Sequence, residues 1–179
     1  MLNSSDAVFV MVDFQGRLAQ VVDRAALVAP NALKMIRGCQ ALDVPVVATL
    51  QAPEKLGPLL SPLAEALPDQ DPISKMAFSA LRAPAFLVAL KRLERKQVLL
   101  AGIEAHVCVL QTGFDLLDAG YTVHVLEDGI FSRRAENHRL ALHRLHEAGA
   151  VLSSVEMALF EMVRTADHPQ FRTISGLVK

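Results

Sequence analysis

The run AVFVMVD, residues 7–13, sets six consecutive apolar side chains ahead of a carboxylate. A strand with one face in water alternates apolar and polar residues. An unbroken run with β-branched content reads instead as a strand buried on both faces. Three further runs repeat the type: PVVATL at 45–50, QVLLA at 97–101 and TVHVL at 122–126. AVLS at 150–153 is a shorter version, and a weak strand is expected at 72–75. Helical patterns lie between them. Val28, Ala32, Met35, Cys39 and Leu42 fall four and three apart, one stripe of an amphipathic helix. Pro84 opens a second helix with Phe86, Leu90 and Leu93 inward, since a first-turn proline gives up no helical N–H bond. Val107, Leu110, Phe114 and Leu117 make a third stripe that ends near Gly120, and 135–148 a fourth with Leu142 and Leu145 inward. Strand and helix in alternation predict an α/β fold, a parallel sheet covered by helices on both faces. One long stretch, 52–71, carries Pro53, Pro58, Pro62 and Pro68 and no clear element. Loops of that length in compact domains are commonly covers over a site.

With 179 residues, the chain is expected to be a single domain, 1–179, and its 52% hydrophobic content supplies a full core. A formal net charge of −1 gives no electrostatic footprint for nucleic acid or anionic lipid. The absence of Trp and the single Tyr speak against a base-stacking platform. No apolar run is long enough for a bilayer, and Asn3, Ser4, Ser5 and Asp6 stand where a signal peptide would be basic. A cytoplasmic location is therefore expected, with Cys39 and Cys108 as free thiols. The glycines form no phosphate-binding pattern, and no cofactor is expected.

In open parallel sheets, ligands bind outside the carboxyl ends of the strands. Three reactive groups stand there: Asp13 after the first strand, Lys75 after the weak third, and Cys108 just past the fourth. Cys108 falls in the first turn of the third helix, off its apolar stripe, on a face with Gln111, Thr112 and Asp115. A helix N-terminus lowers a thiol pKa and offers N–H groups to an oxyanion. The competing reading is a small buried hydrophobe, and the two weigh about equally on position alone. Cys39, in the middle of an apolar stripe, reads as structural. Asp13 suits proton transfer at a strand end, against an ordinary turn-capping role. Lys75 by itself would be a surface lysine; beside the other two it would hold a thiolate and a carboxylate together.

Asp13 in VDFQ, Lys75 in SKMAFSA and Cys108 in AGIEAHVCVLQT resemble the Asp–Lys–Cys triad of the isochorismatase-like cysteine hydrolases. The later run VHVLEDGIFSRRAENHRLALHRLHEAGA is similar to the family's fifth strand, its turn and the following helix, so the likeness spans most of the chain in order. The resemblance implies a six-stranded parallel sheet in a three-layer α/β/α sandwich and a homo-oligomer. It further implies a nucleophilic Cys108, with Asp13 as base and acid and Lys75 holding the charges. The same likeness places a cis peptide at Ile103–Glu104 and an oxyanion hole at the N–H groups of Cys108 and of Ala105 or a neighbour. Phe14, Gln15, Gln51, Phe78, Glu104, His106, Phe131 and Ser132 are the candidate pocket residues around a small-molecule substrate. Nicotinamidase relatives carry an Asp-x-His-x-x-His metal site after the second strand. Here residues 49–54 read TLQAPE, so a metal site is not expected. His143 and His146 share a helix face without a third ligand and read as solvated. The reading is a metal-independent hydrolase of a small amide, imide or related substrate. A vinyl-ether hydrolase of the isochorismatase type and a non-enzymatic scaffold that keeps the fold stand as alternatives.

Overall fold

The computed structural model describes residues 1–179. Its strands are β1 (Ala7–Val12), β2 (Val46–Gln51), β3 (Ile73–Lys75), β4 (Gln97–Ile103), β5 (Thr122–Phe131) and β6 (Val151–Ser153). They form one sheet in the order β3-β2-β1-β4-β5-β6, with every neighbouring pair parallel. The helices are α1 (Gly16–Ala19), α2 (Ala25–Ala41), α3 (Pro53–Leu56), α4 (Ser61–Ala66), α5 (Pro84–Arg92), α6 (Leu110–Asp118), α7 (Ala135–Glu147), α8 (Val155–Val163) and α9 (Phe171–Val178).

Successive side chains of a strand point to opposite faces, so fully buried β1 feeds two cores. Phe9 and Met11 belong to one core with Met35 and Ile36 of α2, Leu159 of α8 and Ile174 of α9. Val8, Val10 and Val12 belong to the other with Phe86 and Leu90 of α5, Leu116 of α6 and Leu145 of α7. The result is a three-layer α/β/α sandwich. Chain order then decides where a crevice opens. From β1 the chain steps to β2 and β3 on one side, and later lays β4 on the other side of β1. Loops leaving the carboxyl ends of β1 and β4 diverge to opposite faces, which is the switch point where α/β sheets hold ligands.

Two expectations need correction. The stretch 52–71 is not irregular throughout, because it forms α3 and α4, each with a proline in its first turn. Nor does it act only as a cover: Leu59, Leu63 and Leu67 are buried in the core beside α2, and Gln40 Nε2 donates to Ala66 O at 2.7 Å. The third helical stripe is also rotated. Val109, Thr112, Gly113 and Leu116 are buried, whereas Val107, Phe114 and Leu117 are only half-buried. Close approach of α6 to α7 explains it, since a Cβ on Gly113 would lie 2.5 Å from a Leu145 methyl. Small residues mark that contact, and a hydrophobic pattern overlooks them. The Phe114 ring instead faces the Arg144 guanidinium, 5.3 Å from its centroid. Of the apolar C-terminal residues, Leu159, Met162 and Val163 pack on the sheet, and Met157 is exposed.

His124 of β5 is buried with neither ring nitrogen bonded. Burial lowers its pKa, helped by the positive N-terminus and opposed by Glu161. Below a pH of about 6.5 the unfolded chain takes up a proton that the folded chain resists, so stability falls as pH drops through that value. His124→Leu is expected to raise Tm by several degrees at pH 5.5 and by less at pH 8. Thermal scans giving the same wild-type-to-variant gap at both values would contradict this.

Candidate active site

The β1 strand ends in a sharp turn at Asp13, whose φ of 56° lies in the left-handed region that non-glycine residues rarely enter. Its N–H donates to Thr49 O at 3.2 Å, and its C=O accepts from Gln15 N–H at 2.8 Å. The carboxylate is fully buried, and both oxygens are held. Thr49 Oγ1 donates to Oδ1 at 2.8 Å, and Lys75 Nζ donates to Oδ2 at 2.7 Å. Lys75 ends β3, two strands from β1, and its buried side chain crosses the end of β2 to make that contact. Its ammonium also meets Gln51 Oε1 at 2.8 Å, Phe78 O at 3.0 Å and Ala77 O at 3.3 Å. A buried ion pair is tolerated only when its remaining protons and lone pairs find such partners.

Beside this pair, β4 lies unusually close to β1. Gly102 pairs with Val12 and has a φ of 154°, and a Cβ there would come within 2.3 Å of Val12 O. Only glycine allows the approach without displacing the turn that carries Asp13. The Ile103–Glu104 peptide that follows is cis. The chain then makes a single π-helical turn, Ala105–Val109, before α6 begins. Val107 N–H and Val109 N–H both donate to Glu104 O, at 3.0 and 3.3 Å.

Cys108 sits in that π turn rather than in the first turn of an α-helix, and it is 5% exposed. Its thiol is pushed up to about 12, by burial first and by the charge of Asp13 second, with Lys75 opposing both. The lowered pKa expected from a helix N-terminus is therefore corrected: Cys108 lies in a buried π turn, and desolvation and the adjacent carboxylate both raise its pKa. At rest the site holds a neutral thiol beside a carboxylate that is paired with an ammonium. Cys39 is fully buried and unconnected to this group, and burial alone raises its pKa.

The pocket candidates divide. Phe14 is fully buried in the core beneath the sheet edge. Gln15 is also fully buried, and its amide is consumed. Its Oε1 accepts from Gln51 N–H at 2.8 Å, while Nε2 donates to Gln51 O at 3.1 Å and Gly57 O at 2.6 Å. It fastens the proline-rich segment to the end of β2. Gln51 orients Lys75, with its own Nε2 donating to Met76 O at 2.8 Å. Phe78 is half exposed on the loop after Lys75, next to exposed Met76. Glu104 is turned away to accept from Arg133 N–H at 3.0 Å, and His106 Nδ1 pairs with Ser132 Oγ at 3.0 Å. Phe131 and Ser132 line a cavity of about 280 Å³ with Asn31, Asp128 and His138, and none of Asp13, Lys75 or Cys108 lines it.

Two features escaped the sequence. Thr49 was invisible because its role depends on register: it pairs with Val12, one residue before Asp13. Asp115 accepts from Ser79 Oγ at 2.7 Å and from Arg82 Nε at 3.0 Å, and Thr112 Oγ1 accepts from Ala80 N–H at 3.0 Å. Together they pin the loop after Lys75 to the helix that follows Cys108. The Arg82 guanidinium holds the Asp115 carboxyl below its ordinary range. Elsewhere, His143 Nε2 lies 3.4 Å from Glu147 Oε1, and no three His, Cys, Asp or Glu side chains converge as a metal-ligand group. No helix is long and apolar enough to cross a membrane.

This is a three-layer α/β/α fold around a six-stranded parallel sheet, with Asp13, Lys75 and Cys108 at its switch point. The isochorismatase domain model matches residues 7–157, and the chain belongs to that isochorismatase-like hydrolase family. The secreted isochorismatase effector Isc1 of Phytophthora sojae is 42% identical over 149 residues, spanning 81% of this chain and 71% of that protein. The MAR1 ribonuclease of Caenorhabditis elegans superposes with a TM-score of 0.93 at 32% identity, covering 99% of this chain and 91% of that one. YcaC from Pseudomonas aeruginosa, solved with hexane-2,5-diol and covalent acrylamide, gives 0.92 at 26% identity, covering 98% and 90%.

Proposed function

We propose that residues 1–179 form one domain, a metal-independent cysteine hydrolase that cleaves a small amide, imide or related carbonyl through a covalent Cys108 intermediate. The observation that carries the reading is the buried Asp13–Lys75 pair, 2.7 Å apart, with both groups acting on the ionisation of Cys108. In the first half-reaction Asp13 takes the thiol proton as sulfur attacks the carbonyl carbon. The N–H groups of Ala105 and Cys108 receive the oxyanion. Neither is used in a backbone bond outside the regular elements. Collapse expels the amine, Asp13 returns the proton to the leaving nitrogen, and an acyl thioester remains on Cys108. Water then attacks the thioester, Asp13 again takes a proton, and the acid leaves as the thiol reforms. Lys75 holds the Asp13 side chain in place and moderates the negative charge that passes through sulfur.

The covalent acrylamide carried by the Pseudomonas YcaC structure is in keeping with a reactive nucleophile in this fold. A ribonuclease role, suggested by the name of the C. elegans relative, fits poorly with a net charge of −1. In this reading the protein acts in the cytoplasm as a homo-oligomer, with exposed Met76 and Phe78 beside the site available to a second copy. Light scattering that returns a monomer, or fractionation that finds the protein exported as Isc1 is described, would remove those two parts.

Cys108→Ala tests the core of the proposal. On whichever member of an amide, imide and isochorismate panel the wild type turns over, the variant is expected to lose at least about 10³-fold in kcat/KM. Circular dichroism is expected to be unchanged. Intact mass spectrometry of wild type quenched during turnover is expected to find the acyl group on Cys108. Undiminished activity in the variant would sink the covalent route, and turnover of isochorismate alone would move the substrate to vinyl ethers.

A further inference from the structure

We infer that Thr49 is a positioning residue that sets how strong a base Asp13 is. The inference rests on the proton transfer from Cys108 to Asp13 proposed above. Thr49 Oγ1 has one hydrogen-bond partner in the protein, Asp13 Oδ1 at 2.8 Å, and both side chains are fully buried. Its backbone adds a second tie, since Asp13 N–H donates to Thr49 O. The hydroxyl therefore fixes the plane of the carboxylate from the β2 side while Lys75 holds it from the β3 side. The titratable and charged groups that face Asp13 are Lys75 at the end of β3 and Cys108 in the π turn. From β2 its carboxylate accepts from this neutral hydroxyl.

A donor on a carboxylate oxygen stabilises the charged form and weakens the base. Lys75 alone would leave one Asp13 oxygen without a donor in a buried site. With the Thr49 hydroxyl on Oδ1, the carboxylate takes the thiol proton less readily at rest and gives it up more readily to a leaving nitrogen. The trade suits a group that must act as base and as acid within one cycle.

The consequence is readable without a substrate. In the acid-to-neutral range, the reactive form of Cys108 is the one whose proton has moved to Asp13, and its population rises with the basicity of that carboxylate. Thr49→Val keeps the shape and removes the donor. Iodoacetamide alkylation of Cys108 at pH 6, followed by peptide mass spectrometry, is expected to be about three- to tenfold faster in Thr49→Val than in wild type. Thr49→Ser, which restores the hydroxyl, is expected to fall back near the wild-type rate. In an Asp13→Asn background, Thr49→Val is expected to change nothing, because the carboxylate it acts through is gone. A Thr49→Val rate at or below wild type would overturn the inference. So would an acceleration that persists in the Asp13→Asn background, since simple loosening of the site would then explain it. If Thr49→Val does not fold, Thr49→Ala carries the same expectations. The outcomes also separate the two proposals. Should Asp13→Asn itself leave Cys108 alkylation untouched, the proton transfer fails; should it change the rate while Thr49→Val does not, only the role of Thr49 fails.

Discussion

Asp13→Asn is expected to move two measurements in opposite directions: turnover falls by about 10²–10⁴-fold, while alkylation of Cys108 at pH 7.5 speeds up by about tenfold or more. The carboxylate does two things to the thiol. It is the acceptor for the proton during attack, and its charge is the second-largest reason, after burial, that the thiol stands at about 12. The amide keeps the shape: its one oxygen can still accept from Lys75, and its NH2 can donate to the Thr49 hydroxyl oxygen, so the Ile103–Val109 region has no steric reason to move. With the negative charge gone, Lys75 has no anion but the thiolate to pair with, and the thiol pKa falls. Chemistry stops nonetheless, because nothing takes and returns the proton. Iodoacetamide rates measured with site-resolved mass spectrometry, beside kcat/KM on a turned-over substrate, check both arms. Cys39 supplies an internal control, since it is fully buried and away from the pair. Slower alkylation in the variant would mean that Asp13 does not face the sulfur as a charge. Retained turnover would remove it as the base.

That the sequence announces Asp13, Lys75 and Cys108 follows from topology. Asp13 directly follows β1, Lys75 is the last residue of β3 and Cys108 lies in the turn after β4, and a parallel sheet gathers the carboxyl ends of its strands on one edge. The fold is legible for the same reason: runs such as AVFVMV have one physical explanation, burial on both faces, and the stripes of α2, α5 and α7 carry ordinary helical spacing. What escaped depends on distances that no spacing encodes. Gln15 looked like a pocket residue because it follows Asp13 at the sheet edge, yet its amide is spent on Gln51 and Gly57. Phe14 points beneath that edge because the left-handed turn at Asp13 redirects the chain. Thr49 required knowing that β2 pairs with β1 in a register that sets it against Val12. The raised thiol pKa required knowing that the helix start is a buried π turn with a carboxylate beside it. Position relative to a helix gives the sign of one contribution, and only the packed site gives the balance.

Lys75→Met is expected to produce the largest loss of stability of any single change at the site, about 3–5 kcal/mol. Both members of the Asp13–Lys75 pair are fully buried, so removing the ammonium leaves a carboxylate without its counter-charge and without water. The loss also unties the loop after β3, because Ala77 O, Phe78 O and Gln51 Oε1 lose their common donor. For a chain of this length that corresponds to a fall in Tm of roughly 10 °C. Cys108 responds in the sense opposite to Asp13→Asn, since Lys75 is the group that lowers its pKa, and its alkylation at pH 7.5 is expected to slow. The discriminating experiment is the pair of single variants with the double. Asp13→Leu with Lys75→Met removes both charges at once and is expected to recover most of the stability lost by Lys75→Met, while remaining inactive. Urea or thermal unfolding of the three proteins measures the coupling directly. A double variant no more stable than Lys75→Met would mean that the lysine stabilises the fold through its loop contacts and not through the carboxylate. The charge balance assigned to the thiol would then lose its foundation.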